Sequence, residues 1–299
     1  MKTPSYLQKG DTIAIISTAR KISLIEIEAA INLLNSWGLK VIVGKTIGLE
    51  NNQFAGTAQE RIADLQTFLD DERVKAIWCA RGGYGTVQLI DYLDFNTFIK
   101  HPKWIVGYSD ITVLHAHIHN LGIETIHATM PINIPKNSEE SIKTLKNVLF
   151  GNLLKYEFQP DKKNVFGNAK GQLIGGNLSV LYSLLGSISS VETTEKMLFI
   201  EDLDEYLYHI DRMLQNLKRN HYFEHLAGII VGGMTQMRDN EIAYGKTVEA
   251  IILDIVKPYN IPVIFNAPFG HLDDNRALIL GRTIRLISTA DIAQIIFDN

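Results

Sequence analysis

The sequence predicts an α/β fold in two parts: a mainly parallel N-terminal α/β domain and a C-terminal mixed α/β domain. Three observations carry this. Short β-branched runs alternate with amphipathic helical patterns from the first residues, the strand-like runs in the first half are apolar on both faces, and 299 residues exceed the usual size of a single core. Thr12 to Ile16 and Lys40 to Val43 read as strands flanking a helix. That helix is marked at both ends. Ser23 with Glu26 makes a capping box, Ile27, Ala30, Ile31 and Leu34 share one face, and Gly38 can end it in a left-handed conformation. Thr57 with Glu60 repeats the start signal before a helix carrying Ile62, Leu65 and Leu69.

Val74 to Cys79 and Trp104 to Val106 read as further buried strands, completing a β-α-β-α-β first half. Ligands of such sheets gather at the carboxyl ends of the strands, where Ala80 to Gly85 and Gly107 to Asp110 both fall. From Pro135 the pattern turns polar and irregular, with SEESIKTLKNVLFGN suggesting one helix and PDKKN a turn. The expected division is therefore residues 1–135, a connector at 136–170, and residues 171–299. The last part opens on GQLIGGNLSVL and has strands at Met197 to Ile200, Gly228 to Val231 and Val263 to Phe265.

A formal net charge of −4 with scattered basic residues leaves no electrostatic footprint for nucleic acid or an anionic membrane, and a small or zwitterionic ligand fits better. Cys79 is the single cysteine, which excludes an internal disulfide and agrees with a reducing compartment. The N-terminus lacks the apolar core and cleavage site of a secretory signal, and no apolar run is long enough for a bilayer. The expectation is a cytoplasmic protein.

WIVGYSDITVLHAHI reads as strand, tight turn and helix with Ser109 at the corner. A serine there projects its hydroxyl above the sheet, and the next backbone N–H points to where an oxyanion would form. The segment departs from the G-x-S-x-G elbow, because Ile111 stands where the second glycine should be. Ser109 and Asp110 read equally well as helix caps. RGGYG at Arg81 to Gly85 follows a strand, and its paired glycines let N–H groups converge on a negative oxygen; a plain turn is the alternative.

A serine nucleophile needs an imidazole oriented by a carboxylate. His115 and His119, four apart on the helix after Ser109, have metal-ligand spacing but no HExxH pattern, so no metal and no cofactor are expected. His271, in a Pro/Gly-shaped loop after VIF, is the better base. Glu201, Asp202, Asp204 and Glu205 lie together at the end of a strand, and their chemistry alone does not separate them.

RGGYG, GYSD, GGNLSVL, FIEDLDE followed by IDRML, and FGH resemble, in order and over nearly the whole chain, the LD-carboxypeptidases (muramoyltetrapeptide carboxypeptidases), grouped with microcin-C self-immunity peptidases. The resemblance implies a Rossmann-like or flavodoxin-like N-terminal domain, a cleft between the domains, and homodimers. It implies Ser109 as nucleophile, Glu201 as orienting acid and His271 as base. Backbone N–H groups of Asp110 and of Gly82 or Gly83 then form the oxyanion hole. Arg81 or Arg212 would hold the substrate carboxylate, with Asn177 a further contact. The implied substrate is a murein tetrapeptide or muropeptide losing a terminal D-alanine. Two rivals stand beside this: a self-immunity peptidase cleaving a peptide-nucleotide, for which no Trp-bearing insertion lies between Glu201 and His271, and a non-catalytic two-domain binding protein.

Overall fold

The computed structural model describes residues 1–152 and 154–298. Strand β1 (Thr12–Ile16) leads through α1 (Leu24–Ser36) to β2 (Lys40–Val43), then α2 (Ala58–Asp70), β3 (Val74–Cys79), α3 (Asn96–Lys100), β4 (Trp104–Gly107), α4 (Thr112–Asn120) and β5 (Thr125–His127). The five strands pair in parallel, in the order β5-β4-β3-β1-β2. The helix signals act as the sequence expects. Both capping boxes form, at Ser23 and Thr57, and Gly38 takes a φ of +81° just past α1. Each cap satisfies backbone donors that the first helical turn leaves free, which typically stabilises by about 1 kcal/mol.

Helix α2 differs from the simple apolar-stripe reading. Its buried face carries Arg61, Asp64, Leu65, Phe68 and Leu69, while Ile62 is only half-buried. The reason is polar satisfaction. Asp64 accepts bonds from the Lys45 and Thr46 N–H groups, and Arg61 donates to the Thr18 and Gly85 carbonyls, so the two charged side chains tie down loops at the carboxyl end of the sheet.

After α5 (Glu139–Leu149) the chain enters a second sheet: β6 (Lys155–Phe158), β7 (Gly167–Asn177), β8 (Lys196–Leu203), β9 (Gly228–Thr235) and β10 (Val263–Ile264), with α6 (Leu178–Ser183), α7 (Leu207–Arg219) and α8 (Val248–Val256) between them. The chain then runs through β11 (Leu278–Leu280), β12 (Thr283–Ser288) and β13 (Ala293–Phe297). The second sheet has the order β10-β9-β8-β7-β12-β13-β6, parallel on one side and antiparallel on the other, hence mixed.

Sheet membership does not follow a single cut in the chain. Strand β11 leaves the second half and pairs antiparallel with β5, closing the edge of the first sheet. Beside it Arg282 is largely buried against Glu124, with Nε 2.8 Å from Oε1, which joins the late chain to the first sheet by a charged bond. The stretch 136–170 is likewise built into the fold, since β6 pairs with β13 and β7 begins inside it. No described helix is long and apolar enough to cross a membrane.

Candidate active site

Strand β4 is buried throughout and ends at Gly107, and the chain then reverses into α4 within a few residues. Tyr108 is extended, and Ser109 takes a φ of +63°, a left-handed conformation costly for a residue with a side chain. Neither Ser109 nor Asp110 caps the helix: no side-chain cap bond forms at this turn. The Asp110 carboxylate instead accepts the Thr86 N–H at 2.8 Å, which ties the Ser109 turn to the end of the RGGYG loop. Burial, opposed by those N–H bonds, holds Asp110 above the usual carboxylate range.

The RGGYG loop, at the carboxyl end of β3, lies directly against the serine. A Cβ on Gly82 would stand 3.1 Å from Ser109 Cβ and 3.2 Å from Oγ, so any larger residue would crowd the serine. The Asp110 N–H is 3.5 Å from the same point. The Gly82 backbone and the start of the turn at Asp110 are thus packed against Ser109.

The facing wall comes from the second sheet. Glu201 lies on β8 and is fully buried, and its Oε2 accepts the His271 ring Nδ1–H at 2.6 Å and the His271 backbone N–H at 3.2 Å. That bond assigns the proton to Nδ1 and leaves Nε2 as a base. The approach is tight, because a Cβ on Gly270 would stand 2.6 Å from Glu201 Oε2. Burial disfavours the charged imidazole, but the charge and hydrogen bond of Glu201, with a smaller contribution from Asp202, outweigh it, and His271 is raised above its usual range. Ser109 and His271 line one cleft of about 500 Å³, with no hydrogen bond between their side chains.

The four neighbouring acids now separate. Only Glu201 reaches His271; Asp202 accepts from Asn177 Nδ2 and from the Ser179 and Leu203 N–H groups, Asp204 pairs with Arg238, and Glu205 pairs with His209. Burial, and then the charge of Glu201, push Asp202 up to about 7.

A strained serine beside a glycine loop, opposite a buried carboxylate–imidazole pair, is a hydrolase arrangement that occurs on several folds, so the family rests on comparison. Residues 13–128 match the LD-carboxypeptidase N-terminal domain and residues 170–286 the LD-carboxypeptidase C-terminal domain. The chain belongs to the LD-carboxypeptidase family of serine peptidases. Among LD-carboxypeptidase relatives, a probable murein peptide carboxypeptidase of Bacillus subtilis is 35% identical over 93% of this chain and 89% of its own. The murein tetrapeptide carboxypeptidase of Pseudomonas aeruginosa is 28% identical over 91% of each. In fold, the chain matches the muramoyltetrapeptide carboxypeptidase of Oxalobacter formigenes with a TM-score of 0.86 at 25% identity, covering 96% of this chain and 99% of the other. It also matches the self-immunity protein MccF in complex with glutamyl sulfamoyl guanosine at a TM-score of 0.88, with 21% identity over 99% and 98% of the two chains.

Within this LD-carboxypeptidase site not every sequence candidate is placed alike. Ser109, Asp110, Gly82, Gly83, Arg81, Asn177 and His271 line the cleft, with Glu201 buried behind His271. Asn177 is largely committed: its Oδ1 accepts from Ser179 and Val180 to cap α6, and its amide nitrogen serves Asp202. Arg212 is a correction. Helix α7 lays it over the Tyr208 ring at 5.1 Å, and it is not among the residues lining the cleft.

The histidines of α4 are each held separately. His115 bonds Thr125 and the Gly107 carbonyl, and His119 bonds Lys196; burial lowers both to about 4. Burial likewise pushes the Cys79 thiol up to about 12, leaving it unreactive. Sequence reasoning missed Tyr108, whose ring meets His271 edge-on at 4.8 Å, and Asn275, whose Oδ1 accepts the Gly270 N–H beneath the His271 loop. It also missed Arg20 in the cleft wall. The available signal was position, since Arg20 follows the carboxyl end of β1.

Proposed function

We propose that this protein is a cytoplasmic serine carboxypeptidase that releases the terminal D-alanine from an L,D-linked murein tetrapeptide, acting as a homodimer without a metal. The observation that carries the reading is the 2.6 Å Glu201–His271 bond, facing Ser109 across the cleft. The names of its relatives supply the substrate class. An N-terminal unit supplies the nucleophile and a C-terminal unit supplies the acid and base.

His271 Nε2 takes the Ser109 proton as Oγ attacks the carbonyl before D-alanine. The N–H groups of Asp110 and of Gly82 or Gly83 stabilise the resulting oxyanion, and the imidazolium returns its proton to the departing amine. Water, activated by the same imidazole, then hydrolyses the acyl-enzyme. Glu201 holds the imidazole through its Nδ1–H and stabilises the imidazolium.

Mass analysis of a tetrapeptide incubated with the protein tests this: loss of one alanine is the expected product. Ser109→Ala should lower that turnover by about 10⁴-fold or more without shifting Tm downward. Full turnover by the variant would exclude the serine mechanism. A second reading, cleavage of a peptide-nucleotide, draws on the fold shared with MccF. An aminoacyl sulfamoyl adenosine incubated in parallel distinguishes them, since only that reading requires it to be cut.

A further inference from the structure

Two guanidinium groups line the cleft, and they differ in engagement. Arg81 donates to the Lys21 carbonyl and faces Glu26 at 3.9 Å. Arg20 is exposed, lines the cleft, and makes no ion pair among the described residues. Its main chain is nevertheless fixed, with Ser17 Oγ donating to the Arg20 carbonyl at 2.6 Å and a bridge to Phe54. An unpaired charge on an anchored backbone is available to a ligand.

The side chain of Arg20 lies across the RGGYG loop. A Cβ on Gly83 would stand 2.6 Å from Arg20 Cδ and 2.9 Å from Nε, so the stem rests where a side chain would otherwise be. The preceding glycine, Gly82, abuts Ser109. The Arg20 side chain therefore rests on the glycine next to the one that abuts Ser109, in the same cleft. On the opposite wall Asp202, Asp204 and Glu205 already have hydrogen-bond or ion-pair partners within the protein, so none neutralises Arg20.

From this placement we infer that Arg20 is the subsite for the terminal carboxylate of the peptide, gripping it with a charged, two-pronged hydrogen bond. The assignment rests on the carboxypeptidase reading above and sharpens it. An enzyme that anchors a free carboxylate beside its nucleophile removes one terminal residue and spares internal bonds. Arg81, drawn toward Glu26, would shape the loop instead.

The test uses a Ser109→Ala protein, so that binding is read without turnover. Calorimetry gives its affinity for a tetrapeptide ending in D-alanine and for the same peptide ending in the carboxamide. Adding Arg20→Met, which keeps the stem on Gly83, should reduce the acid-over-amide preference about 10- to 100-fold, the range of a lost charged hydrogen bond. Arg20→Lys, which keeps the charge without the fork, should give an intermediate ratio and stands in should the methionine variant fail to fold. An unchanged ratio, an equal loss for acid and amide, or the same collapse in Arg81→Met instead would overturn the assignment. Failure of the wild-type protein to release D-alanine, with Arg20-dependent binding intact, would count against the carboxypeptidase reading and leave the subsite standing.

Discussion

The two walls of the cleft are built by different physics. On the N-terminal wall the surroundings of Ser109 are backbone, set by a strained turn and a glycine loop at adjacent strand ends. On the C-terminal wall they are side chains, a buried carboxylate and an imidazole brought together from positions 70 residues apart. Backbone dipoles keep their charge at every pH and depend on chain geometry. The Glu201–His271 pair depends on ionisation and on a loop meeting a strand. One wall should therefore fail through geometry, the other through charge.

The largest effect expected from breaking this contrast is at Glu201. Glu201→Gln removes the charge that raises His271, leaving burial to lower it, and disturbs the Nδ1–H tautomer. A kcat loss of about 10³- to 10⁴-fold is expected. The base must be neutral, so kcat/KM of the wild type should rise with pH to a midpoint above 6.5, and that midpoint should move to lower pH in the variant. A pH–rate profile with unmoved midpoint would remove His271 as the titrating base. The same linkage acts on stability with opposite sign. Because the folded value lies above the unfolded one, the imidazolium–Glu201 pair stabilises fully below pH 6.5, and its contribution is lost as pH rises through the raised value.

Next in size is the seam between the two halves. Arg282→Ala would leave the Glu124 carboxylate buried without its cation beside β11 and β5. Denaturant unfolding should show a loss of about 3–5 kcal/mol. A change near zero would mean that the strand pairing alone holds this edge.

The smallest effect sharpens the geometric wall. Ser109→Gly relieves the φ of +63° and should raise stability by about 1 kcal/mol in unfolding experiments while abolishing activity. A destabilised glycine variant would show that the turn is not strained.

Much of the scaffold was legible beforehand, because its signals are local. The capping boxes at Ser23 and Thr57, the left-handed stop at Gly38 and the doubly buried strands each depend on residues within a few positions of one another. Where a local rule met a tertiary demand, it failed. Arg61 and Asp64 took the buried face of α2 because loops distant in sequence needed their hydrogen bonds. Leu278 to Leu280 joined the far sheet because β5 offered an unpaired edge.

The site divides in the same way. By itself the sequence determined that Ser109 stands at a strand-to-helix corner and that a glycine loop and a histidine loop each follow a strand, since strand ends and turn residues are written locally. Motif resemblance then named Glu201 and His271. The tertiary structure supplied the contact itself, Glu201 against the imidazole, and it alone decided that Arg212 turns away onto Tyr208 and that Arg20 lies over Gly83 in the cleft. Those are questions of direction across space. Side chains within a few residues of each other leave a strand end in different directions, and the partner each one meets is supplied by another part of the chain.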